Sequence, residues 1–276
     1  MARHSVEKPD SPAGVDADSV QQNPVLLVEK AGALLHVTLN RPDSRNPLSR
    51  ELVDCLSSTF TKYATDMDLK VAIVTGAGNK AFAAGGDLKE LMAIKTAVQA
   101  KQMSRTTRAA FQTLRDFPVP VIAAINGDAL GGGAEFALAC DIRIAAPHCR
   151  IGLIQGRLGI STAWGGAHDL IKLAGPAAAL SLTSRSELID MQTGCQLGLI
   201  DHVAREDESL DDAVRHYCAP IIEKAPHVLR TFKALTREAK NKDRAEPDRL
   251  ETELFAANWI HGDHWKAVEK IFLKRG

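Results

Sequence analysis

Two clusters of glycine, each followed by an acidic residue, are the part of the sequence that could do chemistry. The clusters are residues 85–86, followed by Asp87, and residues 131–133, followed closely by Glu135. Both are predicted to open helices, where backbone N–H groups lack intrahelical partners and the helix dipole is positive. Glycine also lets a substrate oxygen approach without a Cβ in the way. Two such turns facing each other could donate one N–H each to a developing oxyanion, with Glu135 beside it.

The same residues also have a purely structural interpretation. Glycine allows a helix to pack tightly on a sheet, and an acidic residue such as Glu135 is favoured in a first helical turn by the dipole alone. Spacing by itself does not decide between the catalytic and the packing interpretation.

Residues 76–81 match the G-x-G-x-x-A pattern of dinucleotide-binding proteins, directly after a predicted strand. That fold needs a second strand that ends in an acidic residue about 20 positions later. Here that position falls in a polar helical segment, so NAD binding is not favoured. The sequence also lacks the P-loop pattern and the G-x-S-x-G nucleophile elbow.

The elements that must position these glycines alternate between apolar strands and helices. Strands are predicted at residues 25–28, 34–39, 71–75, 121–125 and 142–145, and helices after Ser49 and at residues 96–117 and 132–140. From residue 180 onward the pattern is helical, with helices at 209–224, 226–240 and 249–274 and a short strand near 201–204. This order predicts an α/β fold with mostly parallel strands, in which ligands bind where strand ends meet helix starts.

Composition limits the classes of partner. The 276 residues carry a formal net charge of +0 and 45% hydrophobic residues, which excludes overall disorder. Balanced charge argues against nucleic acid or an anionic membrane as a partner, and the longest apolar runs are too short to span a bilayer. Five scattered cysteines show no zinc-ligand spacing and suggest a reduced, cytoplasmic protein without a metal. Residues 1–24 have the composition of a disordered lead.

Several motifs in a fixed order resemble one family. They are Asn40-Arg41-Pro42 and residues 45–49, 81–90, 126–135, 140–141, 158–159 and 164–166. Together they are similar to the crotonase, or enoyl-CoA hydratase/isomerase, superfamily over residues 25–274. The resemblance implies a crotonase-type spiral of ββα repeats as the catalytic core at residues 25–205. It also implies a C-terminal helical trimerisation region at residues 206–276, and hence a homotrimer or a dimer of trimers.

The resemblance also assigns site residues. The oxyanion donors of the family fall on the backbone N–H groups of Gly86 and Gly132, which would hold the thioester carbonyl of an acyl-CoA. The substrate- and CoA-binding positions fall on Arg45, Pro47, Leu48, Ala84, Gly85, Asp87, Leu88 and Gly131. Coenzyme A is part of the substrate in this family, so no separate cofactor is expected.

The two catalytic glutamates of similar hydratases fall on Glu135 and Gln155. An amide can orient a water but cannot exchange a proton at neutral pH, so Gln155 weakens a two-carboxylate mechanism. We expect hydration with Glu135 as the sole acid/base. The alternatives are double-bond isomerisation, decarboxylation of a methyl- or ethylmalonyl-CoA, and a catalytically inactive CoA-binding scaffold. The decarboxylase alternative arises because the motifs are also similar to those of ethylmalonyl-CoA decarboxylase-like members. RNA binding, which occurs in some relatives, is not favoured by the balanced charge.

Aromatic residues leave two further questions. Trp164 occupies a position where many family members have a small residue, so its side chain could form the floor of the acyl pocket or could only pack in the core. Trp259 and Trp265 follow a helical spacing that favours a core or subunit contact. The positions of the last helix that usually contact CoA fall on residues 266–267 and 270–271, which depart from the family pattern.

Overall fold

The computed structural model of the protein describes residues 19–273. In chain order the strands of this part are β1 (Ser19–Asn23), β2 (Leu26–Ala31), β3 (Leu34–Leu39), β4 (Val71–Gly76), β5 (Ala81–Ala83), β6 (Val121–Ile125), β7 (Asp128–Leu130), β8 (Ile142–Ala145), β9 (Arg150–Gly152), β10 (Ile189–Asp190) and β11 (His202–Val203). Most of the longer strands were predicted from their apolar runs. The strands of two or three residues are too short to show a period, and only β11 was anticipated.

The helices are α1 (Arg50–Tyr63), α2 (Leu88–Leu91), α3 (Ala97–Arg115), α4 (Gly132–Ala139), α5 (Gly166–Arg185), α6 (Met191–Gln196), α7 (Leu210–Ile222), α8 (Pro226–Asn241), α9 (Ala245–Trp259) and α10 (Gly262–Leu273). Single 3₁₀ turns lie at Pro42–Ser44 and Gln155–Leu158. The predicted cap of α1 is confirmed, because the Ser49 hydroxyl accepts the backbone N–H of Leu52. Helix α3 begins with a capping box between Thr96 and Gln99.

Two sheets organise the α/β fold, which confirms the predicted fold class. The larger has the order β1-β2-β3-β4-β6-β8-β11 and the smaller the order β10-β9-β7-β5. Strands β3, β4, β6, β8 and β11 pair in parallel, and so do β5, β7 and β9. The parallel arrangement places the turns after β5 and β7 side by side, and these turns carry the two glycine clusters.

Three sequence-based boundaries need correction. Strand β1 pairs with β2, so residues 19–23 form a strand ahead of the predicted start at residue 25; residues 1–18 lie outside the described part. The helical region starts with α5 at Gly166 rather than near residue 180, and it is broken at Gly175, where φ is +80°. The single helix expected over 249–274 is two helices, because α9 ends at Trp259 and α10 begins at Gly262.

Helix α4 lies in the middle of the fold, and all of its residues are buried. Phe136 stacks on Phe82 of β5 and contacts Phe111 of α3 at centroid distances of 5.7 and 5.2 Å. A Cβ at Gly133 would lie 2.0 Å from the carbonyl oxygen of Ala83. The third glycine of the cluster therefore serves helix-on-sheet packing.

We expect Gly133→Ala to lower the free energy of unfolding by about 1–3 kcal/mol, because the added methyl group meets backbone that cannot move aside cheaply. Gly262→Ala is the matched control, since nothing lies within 4 Å of a Cβ there. Urea titration of both variants measures the difference. Equal stability of the two variants would contradict the tight contact between α4 and β5.

Candidate functional site

A cavity of about 250 Å³ brings together most of the residues singled out in the sequence. Its lining includes the predicted site residues Ala84, Gly85, Gly86, Leu88, Gly131, Gly132, Glu135, Gln155 and Trp164. They come from the turn into α2, the turn into α4, the 3₁₀ turn at Gln155–Leu158 and the loop before α5. The motifs quoted separately from the sequence thus surround one space.

Four predicted residues are not part of the cavity wall: Arg45, Pro47 and Leu48 lie on an adjacent loop, and Asp87 lies at the start of α2. Leu48 donates its N–H to the carbonyl of Gly85 at 2.8 Å, and Ala84 donates to the carbonyl of Arg45 at 3.0 Å. Pro47 and Leu48 are buried, whereas Arg45 is exposed. The fourth, Asp87, caps α2 and forms an ion pair with Arg41 at 2.8 Å. Residues 45–48 therefore brace the turn that carries Gly86.

Asn46, which the sequence analysis did not single out, anchors this loop. Its side chain is 1% exposed, accepts the N–H of Arg41 at 3.0 Å and donates to the carbonyls of Ala77 and Ala81 at 3.0 and 2.8 Å. Its φ is +50°, a conformation that asparagine tolerates better than most residues. The signal was the Asn between Arg45 and Pro47, whose type suits a strained turn.

Gly86 and Gly132 both face the ring of Trp164. A Cβ on Gly132 would lie 2.0 Å from Trp164 Cζ3, and one on Gly86 would lie 3.3 Å from Trp164 Cη2. Among the described residues, no acceptor bonds the N–H of either glycine. The two glycines therefore make room for the indole ring and leave two backbone donors at the cavity.

The Glu135 carboxylate is 1% exposed and is held by a backbone loop. Its Oε2 accepts the N–H groups of Trp164 and Gly166 at 2.8 and 2.9 Å, and its Oε1 accepts that of Ala163 at 3.3 Å. Burial, followed by the nearby charge of Glu251, raises the pKa of Glu135 to about 7 despite these three donors. Near neutral pH the group can therefore exist in both protonation states.

Gln155 lies next to this carboxylate with one unused atom. Its side-chain N–H donates to Glu135 Oε1 at 2.8 Å. Its Oε1 is buried and has no hydrogen-bond partner among the described residues. A buried acceptor without a partner is costly, so a ligand or water that donates a hydrogen bond would be favoured there.

The loop at residues 163–167 is divided between two carboxylates. From residue 164 onward the N–H groups alternate: those of Trp164 and Gly166 donate to Glu135. Those of Gly165 and Ala167 donate to Glu251 of α9 at 2.8 and 3.3 Å. The backbone alternation requires the glycine pair of the Trp-Gly-Gly motif. Gly165 has φ +92°, and a Cβ on Gly166 would lie 2.4 Å from Glu135 Cγ.

Three arginines hold the carbonyl groups of the same loop. Arg108 donates to the carbonyl of Ala163 at 2.8 Å, Arg115 to that of Trp164 at 3.4 Å and Arg244 to that of Gly165 at 3.1 Å. Arg108 also forms an ion pair with Glu251. The loop is thus fixed on its N–H side by acidic groups and on its carbonyl side by basic groups.

Asp169 neutralises two of these arginines inside the protein. It forms ion pairs with Arg115 and Arg244, both at 2.7 Å, and its side chain is 1% exposed. Burial alone would raise its pKa, but the two guanidinium groups lower the pKa of Asp169 to about 2. No sequence motif indicated this network, because its members are far apart along the chain.

The C-terminal helices close the cavity. Phe255 and Trp259 of α9 and Ile271 of α10 belong to its lining. The indole N–H of Trp259 donates to the carbonyl of Ile94 at 3.1 Å. The prediction of a core contact for Trp259 is confirmed, and the same side chain also forms part of the cavity wall.

No metal site is found in residues 19–273, where no three His, Cys, Asp or Glu side chains are grouped to hold an ion. The described helices likewise include none with the length and apolar character required to cross a bilayer.

Comparison with known proteins gives one consistent result. The sequence profile of the family described as enoyl-CoA hydratase/isomerase matches residues 29–275. The chain is 30% identical to the short-chain-enoyl-CoA hydratase of Clostridium acetobutylicum over 250 residues, which is 91% of this chain and 95% of that protein. It is 32% identical to the 2,3-dehydroadipyl-CoA hydratase of Escherichia coli, with 91% and 96% coverage.

A solved structure is similar over the same length. The enoyl-CoA hydratase/carnithine racemase of Magnetospirillum magneticum superposes with a TM-score of 0.76 at 31% identity, covering 92% of this chain and 94% of that one.

We expect Asp169→Asn to lower the free energy of unfolding by about 3–5 kcal/mol, because it leaves Arg115 and Arg244 buried without a counter-charge. Since its folded pKa is depressed, Asp169 stabilises the protein above pH 3.8, and this contribution is lost as pH falls to about 2. Urea titrations of the parent protein and Asp169→Asn at several pH values measure the difference in their free energies of unfolding. Glu246→Gln, in an exposed pair with Arg249, is the control that should change little. A stability difference that does not change with pH would contradict the ionic role of Asp169.

Proposed function

The chain belongs to the enoyl-CoA hydratase/isomerase family, and from this premise we propose that it adds water to the 2,3-double bond of an enoyl-CoA thioester. The observation that carries the proposal is the buried Glu135 carboxylate, whose pKa lies near 7 in the same cavity as Gly86 and Gly132. The relatives with similar sequences that are named enoyl-CoA hydratases support it. The chain is a lyase of this family, and the assignment of each residue's role is ours.

The two free backbone donors would act on the thioester carbonyl. When water attacks C3, the electron pair of the double bond moves toward the carbonyl oxygen and forms an enolate. Hydrogen bonds from the N–H groups of Gly86 and Gly132 would stabilise this charge, and single donors of this kind contribute about 2.7–4 kcal/mol in measured cases. A preformed site strengthens the effect, because the donors need no rearrangement.

Glu135 would serve as base and then as acid. Its carboxylate takes a proton from the water whose oxygen bonds to C3, and the resulting carboxylic acid gives that proton to C2 as the enolate collapses. The net change is the addition of one water. A pKa near 7 suits a group that must do both at neutral pH. The unpartnered Gln155 Oε1 would accept the second hydrogen of the water and orient it.

The CoA moiety would lie along the turn at residues 84–88 and its supporting loop at 45–48. We propose that Ala84, Gly85, Leu88 and Gly131 contact it in the cavity and that exposed Arg45 supplies charge for its phosphates. Pro47 and Leu48 would contribute through the loop's shape. The Asp87 carboxylate is already used by Arg41 and by the cap of α2, which leaves its backbone for a CoA contact. No cofactor beyond CoA is proposed.

Two other reactions use the same groups. Isomerisation needs only Glu135 to move a proton between carbons, and decarboxylation of a methyl- or ethylmalonyl-CoA needs the two N–H donors and a proton source. The Gln155 acceptor favours hydration, because neither alternative needs a water held beside Glu135. Arg157 also borders the cavity; its Nε and Nη2 donate to the carbonyl of Ser186, and its charge would be the feature that favours a substrate carboxylate and hence decarboxylation. An inactive CoA-binding scaffold is the remaining alternative.

We expect enoyl-CoA thioesters to gain the mass of water when incubated with the protein, and Glu135→Gln to lower the rate by about 100-fold or more while CoA binding persists. Because the base must be ionised, kcat/KM should rise with pH up to about 7. Mass spectrometry across 2-enoyl-, 3-enoyl- and methylmalonyl-CoA checks the reaction. Loss of CO2 or isomerisation without mass change would replace hydration. Binding of CoA thioesters without turnover would favour the scaffold.

Trp164 would end the acyl pocket. Its ring packs against Phe111 at a centroid distance of 5.7 Å, and its N–H donates to Met103 Sδ at 3.3 Å. With the ring also against Gly86 and Gly132, little space remains beyond the reacting carbons. We therefore propose a short acyl chain as the substrate.

Trp164→Leu should shift the preference toward longer enoyl-CoA thioesters, with a gain of about 10-fold in relative kcat/KM per added methylene that fits the new space. A series of chain lengths assayed with both proteins measures this change. Met92→Leu, at an exposed position, is the control. An unchanged chain-length preference would limit Trp164 to packing.

Assembly and location stay predictions. Large apolar side chains are exposed on α5 and α8, among them Leu173, Leu180, Phe232 and Leu235. We propose that they are covered in a homotrimer or a dimer of trimers, which light scattering can measure. A cytoplasmic location and the lack of nucleic-acid or membrane partners rest on composition alone.

A further inference from the structure

The unusual feature beside Glu135 is a second carboxylate that the proposed reaction does not use. Glu251 lies on α9 with its side chain 9% exposed, on the opposite side of the loop at residues 163–167. It accepts the N–H groups of Gly165 and Ala167 and the hydroxyl of Thr162. Each of these bonds fixes a residue adjacent to one that donates to Glu135.

We propose that Glu251 is a positioning residue that holds the loop so that its alternate N–H groups bind Glu135, and whose charge sets the pH at which Glu135 becomes an active base. The inference rests on the proposed function for its kinetic consequence. Its structural part concerns only the two carboxylates and the loop between them.

Geometry supports the positioning role. In a peptide segment where successive N–H groups alternate in direction, rotating one peptide unit also moves its neighbours. The Gly165 peptide is the most mobile by residue type, since it has φ +92° and no side chain. Its N–H is bound by Glu251 and its carbonyl by Arg244. Without Glu251, the flanking N–H groups of Trp164 and Gly166 would be held less firmly against Glu135.

Charge balance supports the second role. The charged groups on the elements packed around Glu135 are Arg108 and Arg115 on α3, Asp169 on α5, Arg244 before α9, and Asp248 and Glu251 on α9, with Arg157 at the cavity edge. Arg108, Arg115 and Arg244 are matched by Asp169, Asp248 and Glu251, and of the groups named here the exposed Arg157 alone has no acidic partner. Removing the charge of Glu251 would leave a second arginine charge uncompensated and favour the ionised form of Glu135.

The expected pH effect follows in sign from this balance. A negative neighbour disfavours ionisation of Glu135 and raises its pKa, as burial also does. Glu251→Gln therefore lowers that pKa, and the acid limb of kcat/KM moves to lower pH. Below the midpoint, activity relative to its own plateau should increase about three- to tenfold. The plateau itself should fall about tenfold because the loop is held less firmly.

Two companion variants separate charge from shape. Glu251→Asp keeps the charge but is one methylene shorter, so its acid limb should stay near that of the parent protein while its plateau falls. Glu253→Gln, on the same helix in a half-exposed pair with Lys101, is the control that should leave both unchanged. If Glu251→Gln does not fold, Glu251→Asp still tests the positioning role, since the arginines remain paired.

A titration that needs no substrate distinguishes the failure of this inference from the failure of the proposed function. The ¹³C resonance of the Glu135 carboxyl, assigned with Glu135→Gln, should titrate at lower pH in Glu251→Gln than in the parent. If Glu251→Gln does not fold, the comparison uses Glu251→Asp, in which Glu135 should titrate with the same midpoint as in the parent protein. An unchanged midpoint in folded Glu251→Gln, or a midpoint in Glu251→Asp that has fallen, would overturn the charge role whether or not the enzyme hydrates enoyl-CoA. An unchanged plateau in both variants would overturn the positioning role.

Discussion

The burial of the Glu135 carboxylate is the constraint on which the rest of the site depends. A carboxylate out of contact with water must be hydrogen-bonded, and here a short backbone loop supplies three N–H groups. That loop can turn its N–H groups inward only if the alternate ones and its carbonyls are also bound. Glu251 and the three arginines do this, and Asp169 keeps two of those arginines neutralised. A single buried carboxylate thus accounts for a network that reaches from α3 to α9.

The same constraint explains the glycines and the tryptophan. Gly165 and Gly166 let the loop approach Glu135, while Gly86 and Gly132 make room for the Trp164 ring that follows Ala163 in that loop. Because the indole ring and the two free N–H groups adjoin one cavity, the residue proposed to shape the acyl space is part of the segment that holds the proposed base. The proposed functions would therefore link acyl fit and base position through one peptide segment.

Local pattern was enough to predict much of the fold and the central residues of the site. Buried strands such as β4 and β6, the capped start of α1 and the glycine start of α4 each have a signal within a few residues, and family motifs added Glu135 and Gln155. The smaller sheet was missed because its strands are too short to show alternation. Glu251 was missed because its role arises only when α9 folds back over a loop that lies far away in sequence. The break between α9 and α10 was missed because apolar residues continue through Ile260.

The central claim is that one carboxylate, one amide oxygen and two backbone N–H groups act together on an enoyl-CoA thioester. A crystal structure of the protein with a 3-hydroxyacyl-CoA product tests it most directly. The account predicts that the thioester oxygen accepts hydrogen bonds from Gly86 and Gly132, and that the 3-hydroxyl group lies between Glu135 and Gln155 Oε1. A thioester oxygen turned away from both glycines, or a hydroxyl group in contact with neither side chain, would contradict it.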